Sequence, residues 1–225
     1  VPPQLTVAGT CGYPHFPQNV DRTKFPNGMK HVADRIKDLG LKPALWFGLR
    51  GSRNSALYRE HPERFLKMKT GEEYTALKNK CYRDIERTNL DPSHPAFGDY
   101  MHSVCNTIFN EWGFMGLKLD FYTHAFHGHG IQYHNPDKTP IEMRNELFDI
   151  VRQYLPDNGY FCICSAITNM NLLLGRWGEN IRYTDDIDLL EDGHARLMPI
   201  IDKSLLGICM GAYRVALFNS DAAGY

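Results

Sequence analysis

Apolar and polar or small residues alternate along Gly116-Leu117-Lys118-Leu119-Asp120-Phe121, so Leu117, Leu119 and Phe121 point one way and Gly116, Lys118 and Asp120 the other. An apolar face under helices, with Lys and Asp turned inward, is wrong for a packed sheet interior. It suits the C-terminal rim of a (β/α)8 barrel, where inward residues at strand ends form the site. The rest of the chain repeats strand, crossover and helix. Residues 27–39 place Met29, Val32, Ala33, Ile36 and Leu39 at helical spacing, with Gly40 as the stop. A strand over 44–49 follows at once. The polar stretch 50–90 is long for a βα loop and predicts short helices near 55–59 and 62–67.

Asp91-Pro92-Ser93-His94-Pro95 opens the next helix, whose stripe of Phe97, Met101, Val104, Cys105, Ile108 and Trp112 runs to Gly113. After the Asp120 strand comes a histidine-rich loop to about Lys138. Thr139-Pro140-Ile141-Glu142 has capping-box spacing with Pro at the first helical position, and Leu147, Ile150, Val151 and Tyr154 give that helix its apolar side. A strand over 160–165, a short helix near 169–174, a strand over 181–184, a helix near 194–206 and a strand over 214–218 complete the series. With 5–8 as a further strand, the chain supplies about six of the eight βα units that a closed barrel needs. The expected fold is therefore α/β, a (β/α)8 TIM barrel incomplete in this chain. Residues 1–225 are expected to form one catalytic barrel domain, a fragment of a longer protein.

The 225 residues, 43% hydrophobic, suffice for one sizeable core. A formal charge of −1 with 23% charged residues argues against nucleic-acid and membrane-surface partners. No apolar run approaches a membrane span, and Val1-Pro2-Pro3 opens no signal-peptide pattern. Of Cys11, Cys81, Cys105, Cys162, Cys164 and Cys209, three fall on predicted apolar helix or strand positions, and none suggests a disulfide framework. That pattern leans towards a reducing, cytoplasmic compartment, and a secreted barrel with buried thiols would show it too.

Asp120 and Asp186 lie 66 positions apart, at the ends of alternate predicted strands. Two carboxylates over one bowl are what a glycosidase needs, held about 5–5.5 Å apart in retaining enzymes and about 6.5–9.5 Å in inverting ones. Lys118 shares Asp120's face and would favour the ionised carboxylate that a nucleophile requires. A purely structural Lys–Asp rim pair gives the same pattern. Arg182, Thr184 and Asp186 share a face by the same alternation, whereas the adjacent Asp185 points the other way on a regular strand. His124, His127, His129 and His134 form a rival constellation for a metal-dependent hydrolase using Asp120. They all lie in one Gly-rich loop, whereas barrel metal sites draw ligands from several strand ends. The expectation is no metal and an exposed loop, touching substrate at most through one His or Tyr122.

Several motifs in order resemble the α-galactosidase barrels, chiefly glycoside hydrolase family 36 of clan D. They are Phe25-Pro26-Asn27-Gly28-Met29-Lys30, Gly40-Leu41-Lys42, Leu45-Trp46-Phe47, Tyr58-Arg59-Glu60-His61-Pro62, Leu90-Asp91-Pro92-Ser93-His94-Pro95, Trp112-Gly113-Phe114 and Lys118-Leu119-Asp120. The similarity runs from Lys24 to Asp188, and several ordered motifs are far more specific than any one. The resemblance implies a retaining glycosidase that cleaves terminal α-galactosides without a cofactor. Asp120 would be the nucleophile and Lys118 a contact to sugar hydroxyls. Asp186, ending an R-x-x-x-D segment from Arg182, would be the acid/base, with Asp185 its competitor. Trp46 and Cys164 match pocket positions on the family's third and fifth strands.

The family's Asp-Asp-Gly-Trp stretch has no counterpart before Phe25, where the chain reads Gly9-Thr10-Cys11-Gly12-Tyr13. Gly48-Leu49-Arg50 stands where Glu-Pro-Glu is frequent, and Asn219-Ser220-Asp221 only echoes Asn-Asp-Pro-Asp. Alternatives kept open are an α-N-acetylgalactosaminidase, a raffinose-synthase-like transglycosylase and a carbohydrate-binding pseudoenzyme. The expected partner is an oligosaccharide or glycoside, with no nucleic acid and no membrane.

Overall fold

The structure is a computed structural model that describes residues 20–53, 55–72, 74, 87–126, 130–164, 172–182 and 217–219. Its first helix, α1 (Gly28–Asp38), buries Met29 and Ala33. Leu39, expected on the same stripe, is instead 72% exposed just past the last turn, where Gly40 at φ 75° ends the helix. Strand β1 (Ala44–Gly48) follows, as the alternation predicts.

The stretch after β1 holds more strand than the sequence suggests. β2 (Arg50–Ser52) pairs antiparallel with β4 (Arg87–Asn89), and β3 (Lys67–Met68) pairs antiparallel with β6 (Ile131–Gln132). Between them lie α2 (Ala56–Glu60), capped by the Ser55 hydroxyl accepting from the Tyr58 N–H, and a single 3₁₀ turn at Pro62–Arg64. The helix expected near 62–67 therefore stops early, because Lys67 and Met68 are taken by β6. The histidine loop, in turn, is not wholly irregular, since it supplies β6.

Helix α3 (Pro95–Cys105) is capped by His94, whose side chain accepts from the Ala96 N–H, and it continues into a π-helical segment at Asn106–Glu111. There the Trp112 N–H bonds back to the Thr107 carbonyl, and Gly113 at φ 71° ends the run. Ile108 and Trp112 are buried along with Phe97, Met101, Val104 and Cys105. Burial also pushes the Cys105 thiol up to about 12. Helix α4 (Pro140–Tyr154) begins with the complete capping box: Thr139 accepts from the Glu142 N–H while Glu142 accepts from the Thr139 N–H. It buries Leu147 and Val151, as expected, and also Met143, Arg144 and Phe148.

Strands β5 (Gly116–Asp120), β7 (Tyr160–Ile163), β8 (Asn180–Arg182) and β9 (Leu217–Asn219) join β1 in one sheet, ordered β1-β5-β7-β8-β9. Every pairing in it is parallel. The outward Leu117 and Leu119 are wholly buried, as are Val104, Leu147 and Val151 in the same core. Each such aliphatic side chain contributes about 1.5–3 kcal/mol of transfer free energy. That core fixes which face of β5 turns inward, because a one-residue slip would bury Lys118 under the helices. The predicted strand 5–8 and the helix near 194–206 lie outside the described residues. Among the described residues no helix is long and apolar enough to cross a membrane.

Candidate active site

In a parallel sheet, residues in register share a face, so the pairings stack the inward positions in rows. Ala44, Gly116 and Tyr160 form the lowest row, and Trp46, Lys118, Cys162 and Asn180 the next. Gly48 and Asp120 are paired above them. Cys164, two residues beyond Cys162, continues that row, and its N–H bonds to the Leu119 carbonyl at 2.9 Å. The strand-end grouping of Trp46, Lys118, Asp120 and Cys164 expected from the sequence is thus present. The backbone of Arg182 ends β8 in register with Asn219. Asp185 and Asp186 lie outside the described residues.

Asp120 is 5% exposed, close to fully buried for a carboxylate. Each oxygen has a neutral donor: the Phe121 N–H reaches Oδ1 at 2.8 Å and the Trp46 indole Nε1–H reaches Oδ2 at 3.2 Å. Gly48 explains how the indole gets there. Trp46 stands opposite Lys118, one row below Asp120, and the residue above it on β1 carries no side chain. The indole can therefore lean along its strand to the carboxylate. Two neutral donors orient the carboxylate without cancelling its charge.

The strand ends abruptly at this residue. Phe121, expected to continue the outward alternation, has φ 51°, the one positive φ outside glycine among the described residues. Its ring meets Trp46 edge to face, with centroids 5.8 Å apart at 76°. Tyr122, considered from the sequence as a substrate contact, is wholly buried and packs against Phe126 and Phe148. Its hydroxyl has no hydrogen-bond partner, and burial, above all, holds it well above the usual phenol range; Arg144 opposes this, while Cys164 and Asp120 add to it. Arg144 is itself buried, lies about 6.0 Å from the Phe148 ring centroid, and is held below its ordinary range by burial.

Sequence reasoning missed Asn180. It stands in the row of Lys118, 9% exposed, with its Oδ1 buried and unpartnered. Its place at the first position of a short strand gave no periodic signal. The histidines, by contrast, disperse. His134 gives its backbone N–H to Asp91 Oδ2 at 2.7 Å and its ring lies tilted against that of His94, centroids 4.6 Å apart, beside a separate cleft of about 180 Å³ that Glu63, Phe65 and Asp91 also line. The His124 carbonyl accepts from the Tyr74 hydroxyl. His127 and His129 lie outside the described residues, and no group of three or more His, Cys, Asp or Glu side chains poised for a metal occurs among those described.

The sequence profile of the family described as Melibiase matches residues 17–184, which include every described element from α1 to β8. The chain belongs to the Melibiase family. The α-galactosidase Mel36A of Lactobacillus acidophilus is 36% identical over 72 residues, which is 32% of this chain and 10% of that relative. In three dimensions, a GH31 family sulfoquinovosidase from E. rectale superposes with a TM-score of 0.63 at 16% identity, covering 88% of this chain and 29% of that one. A GH31 α-xylosidase from a soil metagenome gives 0.59 at 14% identity, with the same coverage. The chain thus spans about a tenth to a third of the length of these relatives. The structural likenesses speak to fold: this Melibiase chain has the α/β architecture of the glycoside hydrolase barrels, and β1, β5, β7, β8 and β9 are an arc of the barrel wall.

Proposed function

We propose that this chain carries both carboxylates, Asp120 and Asp186, of a retaining glycosidase site that acts on terminal α-galactosides. The observation that carries the reading is Asp120, a buried strand-end carboxylate oriented through both oxygens, in a Melibiase-family chain. Asp120 attacks the anomeric carbon as the glycosidic C–O bond breaks, and Asp186 gives its proton to the departing oxygen. Asp186, now ionised, takes a proton from water, whose oxygen attacks the same carbon and releases Asp120. Lys118, Trp46, Cys164 and Arg182 would contact the sugar. The sheet order is compatible with this pairing: β5, which ends on Asp120, and β8, which leads into the segment that carries Asp186, are separated only by β7, roughly 9.4–9.8 Å between backbones.

The test is turnover of an activated aryl α-galactoside by the full-length protein. Asp120→Gly should abolish it, and azide should restore it with a β-configured azide product. Asp186→Ala should harm poor leaving groups far more than good ones, since the acid matters most when the leaving oxygen is basic. Preferred turnover of an α-N-acetylgalactosaminide, or transfer to a sugar acceptor, would reassign the substrate and leave the carboxylates in role. Sugar binding without turnover would mean a pseudoenzyme.

A further inference from the structure

We propose that Phe121 is a positioning residue for Asp120 and acts through its backbone, its left-handed turn holding the 120–121 peptide N–H against the carboxylate. The inference rests on the nucleophile role given to Asp120 above. That N–H lies 2.8 Å from Asp120 Oδ1, the shorter of the two bonds orienting the group. Rotation about the Phe121 N–Cα bond couples the plane of this peptide to the path by which the chain leaves the strand. Both ends of that path are fixed. On the entry side, Leu119 and Asp120 are held in register with Phe47 and Gly48. On the exit side, Tyr122 is wholly buried, its ring 6.3 Å from Phe126 and 5.3 Å from Phe148. With strand and exit both held, a residue that resists φ 51° and lacks the ring contact to Trp46 relaxes by rotating the peptide plane, which takes the N–H off the carboxylate.

An aromatic residue in the left-handed region is uncommon and costly, and such outliers persist where the surroundings over-determine them. Glycine would adopt this turn freely. What phenylalanine adds is the edge of its ring against Trp46, the donor to the other carboxylate oxygen. One residue thus braces both bonds, directly through its N–H and indirectly through the indole. The ring holds Trp46 in place, and the turn sets the peptide.

Phe121→Gly and Phe121→Ala separate these parts. Both delete the ring, and only alanine resists positive φ. In full-length protein confirmed folded by circular dichroism, the single-turnover rate of glycosylation by an activated aryl α-galactoside should be roughly 5- to 30-fold lower for alanine than for glycine. The inhibition constant of free galactose should agree between the two within about twofold, because the turn moves the attacking oxygen and leaves the sugar contacts in place. If alanine does not fold, Phe121→Asn and Phe121→Leu repeat the comparison, since Asn tolerates the left-handed region and Leu does not. Equal rates within a folded pair, or a weakening of galactose inhibition that matches the rate loss, would overturn the inference. A wild type without turnover, or an Asp120→Gly variant that keeps it without azide, removes the nucleophile reading and this inference with it. Asp120-dependent turnover with equal Gly and Ala rates removes this inference alone.

Discussion

Gly116 opens the strand that carries Lys118 and Asp120, and alanine there should destabilise the domain, whereas alanine at Gly98 should stabilise it. A Cβ on Gly116 would lie 2.8 Å from the Tyr160 carbonyl oxygen, 3.0 Å from the Ala44 Cβ and 3.2 Å from the Tyr160 Cβ. Ala44 and Tyr160 are the register partners of Gly116 on either side. Neither can retreat without stretching the hydrogen bonds that hold β5 in the sheet. Overpacking of this kind costs about 1–3 kcal/mol, and the lower chain entropy of alanine returns only about 0.5–1 kcal/mol. A contact under 3.0 Å to a backbone atom puts the cost in the upper half of that range, so the net loss should be about 1–2 kcal/mol. At Gly98, inside α3, nothing lies within 4 Å of the added Cβ, so the helix gains about 0.5–1 kcal/mol. Hydrogen exchange of the full-length protein reads both effects locally, at about tenfold per 1.4 kcal/mol. Amides in 116–120 should exchange roughly 5- to 30-fold faster in Gly116→Ala. Protection equal to or above wild type there would refute the packing argument.

Thr139→Ala removes the acceptor for the Glu142 N–H and should cost about 1 kcal/mol at the start of α4, seen as faster exchange over 140–144, while Thr139→Ser should not. His94 should make stability fall with acid: burial first, then the neighbouring His134, holds it below the ordinary histidine range, with Arg64 adding to this and Asp91 and Glu63 opposing. A folded value below the unfolded one means that the unfolded chain takes the proton first, so this contribution is present above about pH 6.5 and is lost as pH falls towards the folded value. Protonation also removes Nδ1 as acceptor for the Ala96 N–H, so His94→Asn, which keeps a cap and cannot titrate, should lose less stability between pH 7 and 5.

Strands β1, β5 and β7 were legible because each is bounded by turn residues and buries apolar residues on its outward side, Leu45 and Phe47, Leu117 and Leu119, and Phe161 and Ile163. Gly116 to Asp120 showed both the alternation and the inward pair. The capping box of α4 was equally plain, since it depends on two residues at fixed spacing. The short antiparallel pairs were not, because two- and three-residue strands leave no periodic trace and are made by partners far along the chain, such as Lys67 with Gln132. Alternation also misjudged Phe121. It assumes that the chain stays extended, and nothing in the residue type announces a left-handed turn. The hydrogen bond from Trp46 to Asp120 was invisible for a different reason: it needs the β1–β5 register and the missing side chain at Gly48, neither of which is a property of one segment.

That hydrogen bond makes Asp120→Asn a revealing substitution rather than a silent one. The carboxylate accepts at both oxygens, from the Phe121 N–H and from the Trp46 indole. An asparagine has one acceptor oxygen and an NH2 group, so one of the two donors must face another donor. The backbone N–H is nearer and less free to move, so the oxygen turns to it and the amide faces the indole. A buried donor left unsatisfied costs about 1–3 kcal/mol, set against any relief from removing the charge. A double-mutant cycle isolates the conflict from that relief, because Trp46→Phe removes the indole N–H but not the charge change. Asp120→Asn should therefore be more destabilising with Trp46 than with phenylalanine, by about 1–3 kcal/mol, in hydrogen exchange of the β1 and β5 amides. Equal costs in both backgrounds would mean that the indole is not bonded to this carboxylate. The cycle reads stability and needs no substrate, so it tests the geometry of the site whichever glycoside the protein binds.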